Sequence, residues 1–273
     1  MPTAKRVPAA NRLLASLPPE DLRRILAASE AVELIFAEVL YEPPEPLQAV
    51  YFPTQSFISL IMPVDQHSSL EVGLVGDEGL FGVPLALGVK ESPVRAVVQG
   101  AGAALRMDAA VFCRELRRSD ALQRVIKRYT FVQMNQLSQN AACTRFHVVE
   151  ARLARWLLMT QDRVHANSFH ITQEFLALML GVRRVGVTKA ASSLLKRKLI
   201  HYTRGNITVL DRRGLRNASC GCYKADLDSY ARILGRREPE RQRGAGPSPV
   251  PRRADCVGSD QTARGRQEVS EHA

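Results

Sequence analysis

The sequence predicts an α+β chain in three successive parts: an all-β N-terminal unit, one long helix, and a C-terminal unit built on two helices that cross over a tight turn. Three observations predict it. Short β-type runs recur between residues 31 and 111; one helical periodicity runs from Asp120 to about Cys143; and a small-residue, glycine and apolar pattern at residues 171 to 196 fits a steep helix crossing.

Composition narrows the function classes. At 273 residues, 45% hydrophobic and 24% charged, the chain is long enough for a full core and too apolar to be wholly disordered. Its strongly apolar stretches, such as Phe57 to Val64, fall far short of the ~20 residues that cross a bilayer. Pro8, Asn11 and Arg12 interrupt what would have to be the apolar part of a signal peptide, so a cytoplasmic protein with no membrane partner is expected.

Charge is distributed unevenly. Residues 1 to 150 hold 15 Lys+Arg against 16 Asp+Glu, and residues 151 to 273 hold 23 against 11, giving −1 and +12. A neutral regulatory part joined to a part that binds a polyanion has this asymmetry.

Taken in order, residues 11 to 30 read as a short helix with Pro18 and Pro19 opening a second turn and Leu22, Ile25 and Leu26 at helical spacing. The β-type runs follow: Val39-Leu-Tyr, Ala49-Val-Tyr-Phe, Phe57-Ile-Ser-Leu-Ile, Leu70-Glu-Val-Gly-Leu and Ala96-Val-Val. Their spacing suggests a sandwich or barrel, and with 3 Lys+Arg against 10 Asp+Glu the segment from 31 to 111 repels nucleic acid. From Asp120 the apolar stripe Leu122, Val125, Ile126, Tyr129 and Val132 needs a partner, either the β-unit or a second copy of the same helix. A further amphipathic helix runs from about Val148 to Asp162, through Leu153, Trp156 and Leu157. Residues 235 to 273 are rich in Gly, Pro, Arg, Ser and Glu and read as a disordered tail.

The most informative stretch starts at Ile171. Thr172 is placed to cap a helix, Glu174 faces its positive end, and Ile171 can staple onto Leu176. Two helices crossing over a short turn need a small residue at the contact, a turn glycine and apolar residues at fixed offsets. Ala177, Gly181, and the set Leu176, Leu180, Val182, Val187 and Ala190 meet these needs. This is a helix-turn-helix pattern. With Val187, Ala190, Ala191 and Leu194 facing inward, the second helix shows Arg184, Val185, Thr188, Lys189, Ser192 and Lys196 outward. No acid stands between Glu174 and Asp211, while seven Lys+Arg do, a balance that favours phosphate binding over a solvated structural face. Leu199 to Thr203, Arg204-Gly205-Asn206, and Ile207 to Leu210 then read as a β-hairpin wing with Arg204 at its tip.

Over roughly residues 11 to 222 the sequence resembles the Crp/Fnr family of bacterial transcription factors. The resemblance rests on the Thr172 to Lys196 helix pair with the Leu199-Ile200 and Arg204-Gly205 wing. It rests also on Tyr51-Phe52-Pro53 to Leu60-Ile61 and on Gly79-Leu-Phe-Gly through Pro93-Val-Arg95-Ala96. It implies a jelly-roll-like, cyclic-nucleotide-binding-like sensor β-roll at 11–118, a dimerisation helix at 119–145 and a winged helix-turn-helix at 146–222. It also implies a cytoplasmic homodimer that binds near-palindromic double-stranded DNA, has RNA polymerase as a partner and is no enzyme.

By that resemblance Arg184, Val185 and Lys189 would read bases, with Thr172, Arg183, Thr188, Ser192, Lys196 and Arg204 on the backbone. Arg184 and Lys189 suit guanine, whereas Val185 stands where the catabolite activator type has a glutamate, so the operator should differ. The tentative effector site is Gly82, Val83, Arg95 and Ala96. Cyclic-nucleotide binders carry a glutamate directly after the glycine at Gly82, where this chain has Val83, so an effector other than cAMP is expected. Arg95 matches the arginine that pairs with a cyclic phosphate, and is equally compatible with an internal salt bridge to Asp77 or Glu78. Another small ligand or a ligand-free roll stays open, as does a ligand-binding adaptor without specific DNA recognition.

No metal is expected. The five cysteines, at 113, 143, 220, 222 and 256, show no CxxC spacing and are read as reduced thiols. Cys220 and Cys222 form a CxC pair without two further ligands nearby in sequence. His67 and the Cys143/His147 pair are read as structural, and the absence of cysteine before Cys113 argues against an N-terminal iron–sulfur cluster.

Overall fold

The computed structural model describes residues 11–65, 69–203 and 205–235. The tail expected from residue 235 lies, apart from Gly235, outside the described residues, as do His67 and Arg204.

The chain opens with α1 (Arg12–Ala15) and α2 (Pro19–Ala27), the latter started by Pro19 with Glu20 and Asp21 in its first turn. Among the described residues seven strands then form two antiparallel sheets: β1 (Glu30–Leu34), β2 (Val39–Tyr41), β3 (Ala49–Pro53), β4 (Phe57–Pro63), β5 (Ser69–Val75), β6 (Arg95–Gly100) and β7 (Gly102–Asp108). One sheet has the order β1-β7-β3 and the other β2-β6-β4-β5, with the short α3 (Val83–Ala86) between β5 and β6. Five of these strands match the sequence runs; β1 and β7 do not.

The alternation along β4 places it between two layers. Ile58 and Leu60 face the interior of the roll, while Phe57 and Ile61 pack with residues of the C-terminal unit, among them Trp156, Leu157 and Leu176. A strand covered on both faces reads as a continuous apolar run, which is how Phe57-Ile-Ser-Leu-Ile appears in sequence. The roll interior gathers Ile25, Phe52, Ile58, Leu80, Val98, Met107 and Phe112, closed by Leu122, Ile126 and Tyr129 of the long helix.

Asp108 caps α4 (Ala109–Arg118), and the Ser119 hydroxyl, accepting from Leu122 N at 3.0 Å, starts α5 (Asp120–Phe146). Only His147 and Val148 separate α5 from α6 (Val149–Val164). The C-terminal unit continues with β8 (Ser168–His170), α7 (Gln173–Leu180), α8 (Arg184–Lys196), β9 (Ile200–Thr203), β10 (Asn206–Val209), α9 (Arg212–Ala218) and α10 (Cys222–Ile233). The expected two-stranded wing has a third strand, in the order β8-β10-β9. Past residue 222, α10 packs back along α5, with Asn135 Nδ2 donating to Ser229 Oγ at 2.9 Å. Among the described residues no helix is long and apolar enough to cross a membrane.

Candidate nucleic-acid interface and effector cavity

The crossing of α7 and α8 is built as its residues require. Thr172 Oγ1 accepts from Phe175 N at 3.1 Å, capping α7, and Ile171 and Leu176 are both buried in one cluster. Gly181 ends α7 at φ +60, in the left-handed region that favours glycine, and a Cβ there would stand 2.8 Å from Leu70 Cδ1. Val187, Ala190, Ala191 and Leu194 are buried beneath α8, against Leu153 and Leu157 of α6. Arg152, buried in α6, donates to the carbonyl of Leu180 and so satisfies an acceptor at the last turn of α7.

The opposite face of α8 is open. Arg184, Val185, Thr188, Lys189, Ser192 and Lys196 are all exposed, Val185 to 62%, together with Arg183 just before the helix. Among the described residues no carboxylate pairs with Arg184, Lys189 or Lys196, whereas Arg197 is held by Glu150 at 2.7 Å. The Thr188 hydroxyl donates within the fold, 3.1 Å from both Gln173 Oε1 and Arg184 O, and so braces α8 on α7.

A cavity of about 280 Å³ lies between the roll and α5. Gly82, Val83, Phe81 and Val94 contribute its roll side, and Thr130, Gln133, Met134 and Leu137 its helix side. Its polar lining is Ser92, Thr130, Gln133 and Gln136, and among the described residues no charged side chain takes part. Gly82 sits at φ +108 with Val50 Cγ1 only 2.6 Å from where a Cβ would be, which brings the backbone close to strand β3. Of the four residues expected at an effector site, Gly82 and Val83 line this cavity. Arg95 and Ala96 do not line the cavity: Ala96 is fully buried, and Arg95 pairs with Glu42 at 2.5 Å at the surface. Neither Asp77 nor Glu78 is its partner, because Arg12 takes Asp77 and Arg163 takes Glu78.

Residues 151–218 match the model of the Crp-like helix-turn-helix domain. The chain has the fold of the solved Crp/Fnr structures and carries a Crp-like helix-turn-helix domain. Among solved structures, FixK2 from Bradyrhizobium japonicum superposes with a TM-score of 0.60 at 14% identity, over 70% of this chain and 98% of its own. The CRP-family transcriptional regulator TTHB099 from Thermus thermophilus gives 0.59 at 18% identity, over 69% and 96%. The c-di-GMP-responsive regulator CLP from Xanthomonas campestris gives 0.58 at 16%, over 70% and 99%. No curated protein sequence is significantly similar to the chain.

Within the Crp/Fnr fold this chain holds a group of side chains that sequence spacing left apart. Cys143 and His147 lie at the end of α5, and Cys220 and Cys222 at the start of α10; their sulfur and ring-nitrogen atoms all fall within 4.8 Å of one another. Cys143 Sγ is 3.5 Å from Cys220 Sγ, and Cys222 Sγ is 3.5 Å from His147 Nδ1. The hydrogen bond from Cys220 holds the Cys143 thiol well below its ordinary value. In sequence the pairs stand 77 and 75 residues apart, so the CxC pair finds its two missing neighbours only through folding.

Proposed function

We propose that the chain is a sequence-specific transcription regulator rather than an enzyme. In this reading it acts in the cytoplasm as a homodimer on near-palindromic double-stranded DNA, with RNA polymerase as a further partner. The observation that carries the reading is the outer face of α8, exposed and basic, with no carboxylate paired to Arg184, Lys189 or Lys196 among the described residues. Arg184, Val185 and Lys189 read base edges. Arg184 addresses guanine in bidentate fashion, Lys189 places a second positive donor, and Val185 takes only an apolar contact such as a thymine methyl group. In this reading Thr172, Arg183, Ser192 and Lys196 contact the phosphates, and Thr188, whose hydroxyl donates to Gln173, supports them by holding α8 on α7. Arg204 is assigned to the backbone by its place in the wing sequence. The seam is α5, on which Phe131, Met134 and Leu137 are exposed apolar groups. Two copies joined there present their recognition helices to successive major grooves about 34 Å apart.

The effector is a small molecule other than cAMP, taken up by the cavity at Gly82 and Val83. A cyclic phosphate needs a cation beside it, and here the lining holds none while Arg95 is engaged with Glu42. The fold admits other signals, as the Xanthomonas regulator described as c-di-GMP-responsive illustrates.

Selection of bound sequences from random DNA, followed by binding against salt concentration, tests the reading. A near-palindromic consensus with a steep salt slope is expected. Arg184→Ala should cost about 1–3 kcal/mol on the selected site and much less on random DNA. A shallow salt slope with no site preference makes the chain a ligand-binding adaptor, and equal losses on both DNAs make Arg184 a phosphate contact.

A further inference from the structure

From the convergence of Cys143, His147, Cys220 and Cys222 we propose that this chain binds one zinc ion, held by these four side chains. A tetrahedral zinc ion bonded to sulfur at ~2.3 Å and to nitrogen at ~2.0 Å separates its ligand atoms by roughly 3.5–3.8 Å. The cluster has that size, with the Cys143–Cys220 and Cys222–His147 pairs each at 3.5 Å and every ligand atom within 4.8 Å of the others. Three sulfurs and one imidazole form a complete Cys3His set, which leaves no open position and suits a structural or regulatory ion rather than a catalytic one.

The surroundings support the same chemistry. Binding takes up the thiols as thiolates and releases their protons to solvent, so three thiolates with Zn²⁺ carry a net charge of −1. Two guanidinium groups of α6 line the same cavity as Cys143; Arg155 is paired with Asp226 at 2.6 Å, and Arg152, which among the described residues bonds only the neutral Leu180 carbonyl, is the one that offsets that charge. Gln139 Nε2 donates to Cys222 Sγ at 2.9 Å, the type of outer contact that orients a ligating sulfur. Cys143, Cys220 and Cys222 are buried and His147 is exposed, which gives an ion a way in from solvent.

The position of the site defines its consequence. It ties the last turn of α5 to the start of α10, across the joint formed by His147 and Val148. Occupancy therefore fixes the end of the proposed dimer seam to the DNA-binding domain, and its loss frees that joint.

The test uses the full-length chain, reduced and stripped of metal by chelation, then titrated with Co²⁺ alone and afterwards with Zn²⁺. We expect one Co²⁺ per chain, with the intense visible bands of tetrahedral cobalt and a thiolate-to-metal charge-transfer band, displaced by one equivalent of Zn²⁺. Changes to outer contacts already weaken metal sites by roughly 10- to 100-fold, so Cys222→Ser and the conservative, exposed His147→Gln should weaken binding by at least that much. Cys113→Ser, whose thiol lies outside the cluster, should bind like the unmodified chain. The proposal fails if cobalt gives the pale spectrum of an octahedral ion, or if stoichiometry stays well below one per chain. It fails equally if, on exposure to dissolved oxygen with one equivalent of Zn²⁺ present, Cys143 and Cys220 are oxidised to a disulfide rather than holding the ion, or if His147→Gln binds undiminished.

Discussion

The indole nitrogen of Trp156 donates to Oε1 of Glu71 across 2.7 Å, so the carboxyl group of a roll strand and helix α6 share one buried hydrogen bond. Glu71 also accepts from the Ser59 hydroxyl, which lies 3.4 Å from Met179 Sδ of α7. Burial raises the Glu71 carboxyl to about 7, against the lowering effect of those two donors. Because the folded value lies above the ordinary value of 4.5, the folded state holds a proton that the unfolded chain has released between the two. The stability from neutral Glu71 is therefore complete below about pH 4.5 and is lost as pH rises to about 7. The upper bound on that loss is on the order of 3 kcal/mol. Glu71→Gln should flatten the dependence of Tm on pH across this window and raise Tm at pH 8. A Glu71→Gln variant that kept the original slope would assign the dependence to other groups.

A second junction between the same two parts is ionic. Arg163 of α6 pairs with Glu78 at 2.5 Å, with both side chains only 7% exposed, and Arg163 Nη1 also donates to Met159 O at 2.9 Å. Removing one partner of a buried pair leaves an uncompensated charge. Glu78→Ala should cost about 3–5 kcal/mol in urea unfolding, while the double replacement Glu78→Leu with Arg163→Met should cost less than either single change. Additive losses would show that the two side chains act independently.

What the sequence could convey follows the range of the interactions involved. Thr172, Gly181 and the inward set Val187, Ala190, Ala191 and Leu194 are governed by cap, turn and helical period, all signals confined to a few residues, and the structure places each as expected. Strands β1 and β7 were missed because their residues have weak β preference: Glu-Ala-Val-Glu-Leu in one, and Gly-Ala-Ala at the start of the other. Their pairing, Ala31 opposite Leu105, is a tertiary fact. Arg152, Arg155 and Arg163 look like solvent-facing charges on an amphipathic helix, yet all three are buried against partners from distant segments. The Cys143, His147, Cys220 and Cys222 group failed to register for the same reason, since each half alone is an incomplete ligand pair. Arg95 was misplaced through its match to a family arginine; its partner Glu42 is set by the pairing of β2 with β6.

The turn of the helix-turn-helix carries its own test. Gly181 adopts φ +60, and an alanine there incurs the left-handed backbone cost of about 1–2 kcal/mol. The added Cβ also meets Leu70 Cδ1 of β5 at 2.8 Å, but that contact is with the end of a flexible side chain. Gly181→Ala should therefore lower stability by about 1–2 kcal/mol in chemical denaturation. Combining it with Leu70→Ala should leave that backbone cost in place, beyond what Leu70→Ala costs alone. If the second change abolished the penalty, packing against the roll rather than backbone conformation would be the source.

The exposed stripe on α5 makes the last prediction, and it separates seam from cavity. Phe131 is 52% exposed and lies outside the cavity lining, whereas Met134, 61% exposed, belongs to both the stripe and the cavity wall. A symmetric pairing of two α5 helices uses every seam residue twice, so a charge at one position opposes association from both sides. Phe131→Asp should weaken self-association by roughly 30-fold or more in sedimentation equilibrium, the loss expected when one buried anchor of an interface is removed. Because Phe131 faces away from the roll interior, thermal stability of the isolated chain should change little, and binding to a single half-site should persist while binding to the full palindrome weakens. Met134→Asp should weaken association and also charge the cavity wall. An unchanged association constant for Phe131→Asp would move the proposed dimer seam off this face of α5.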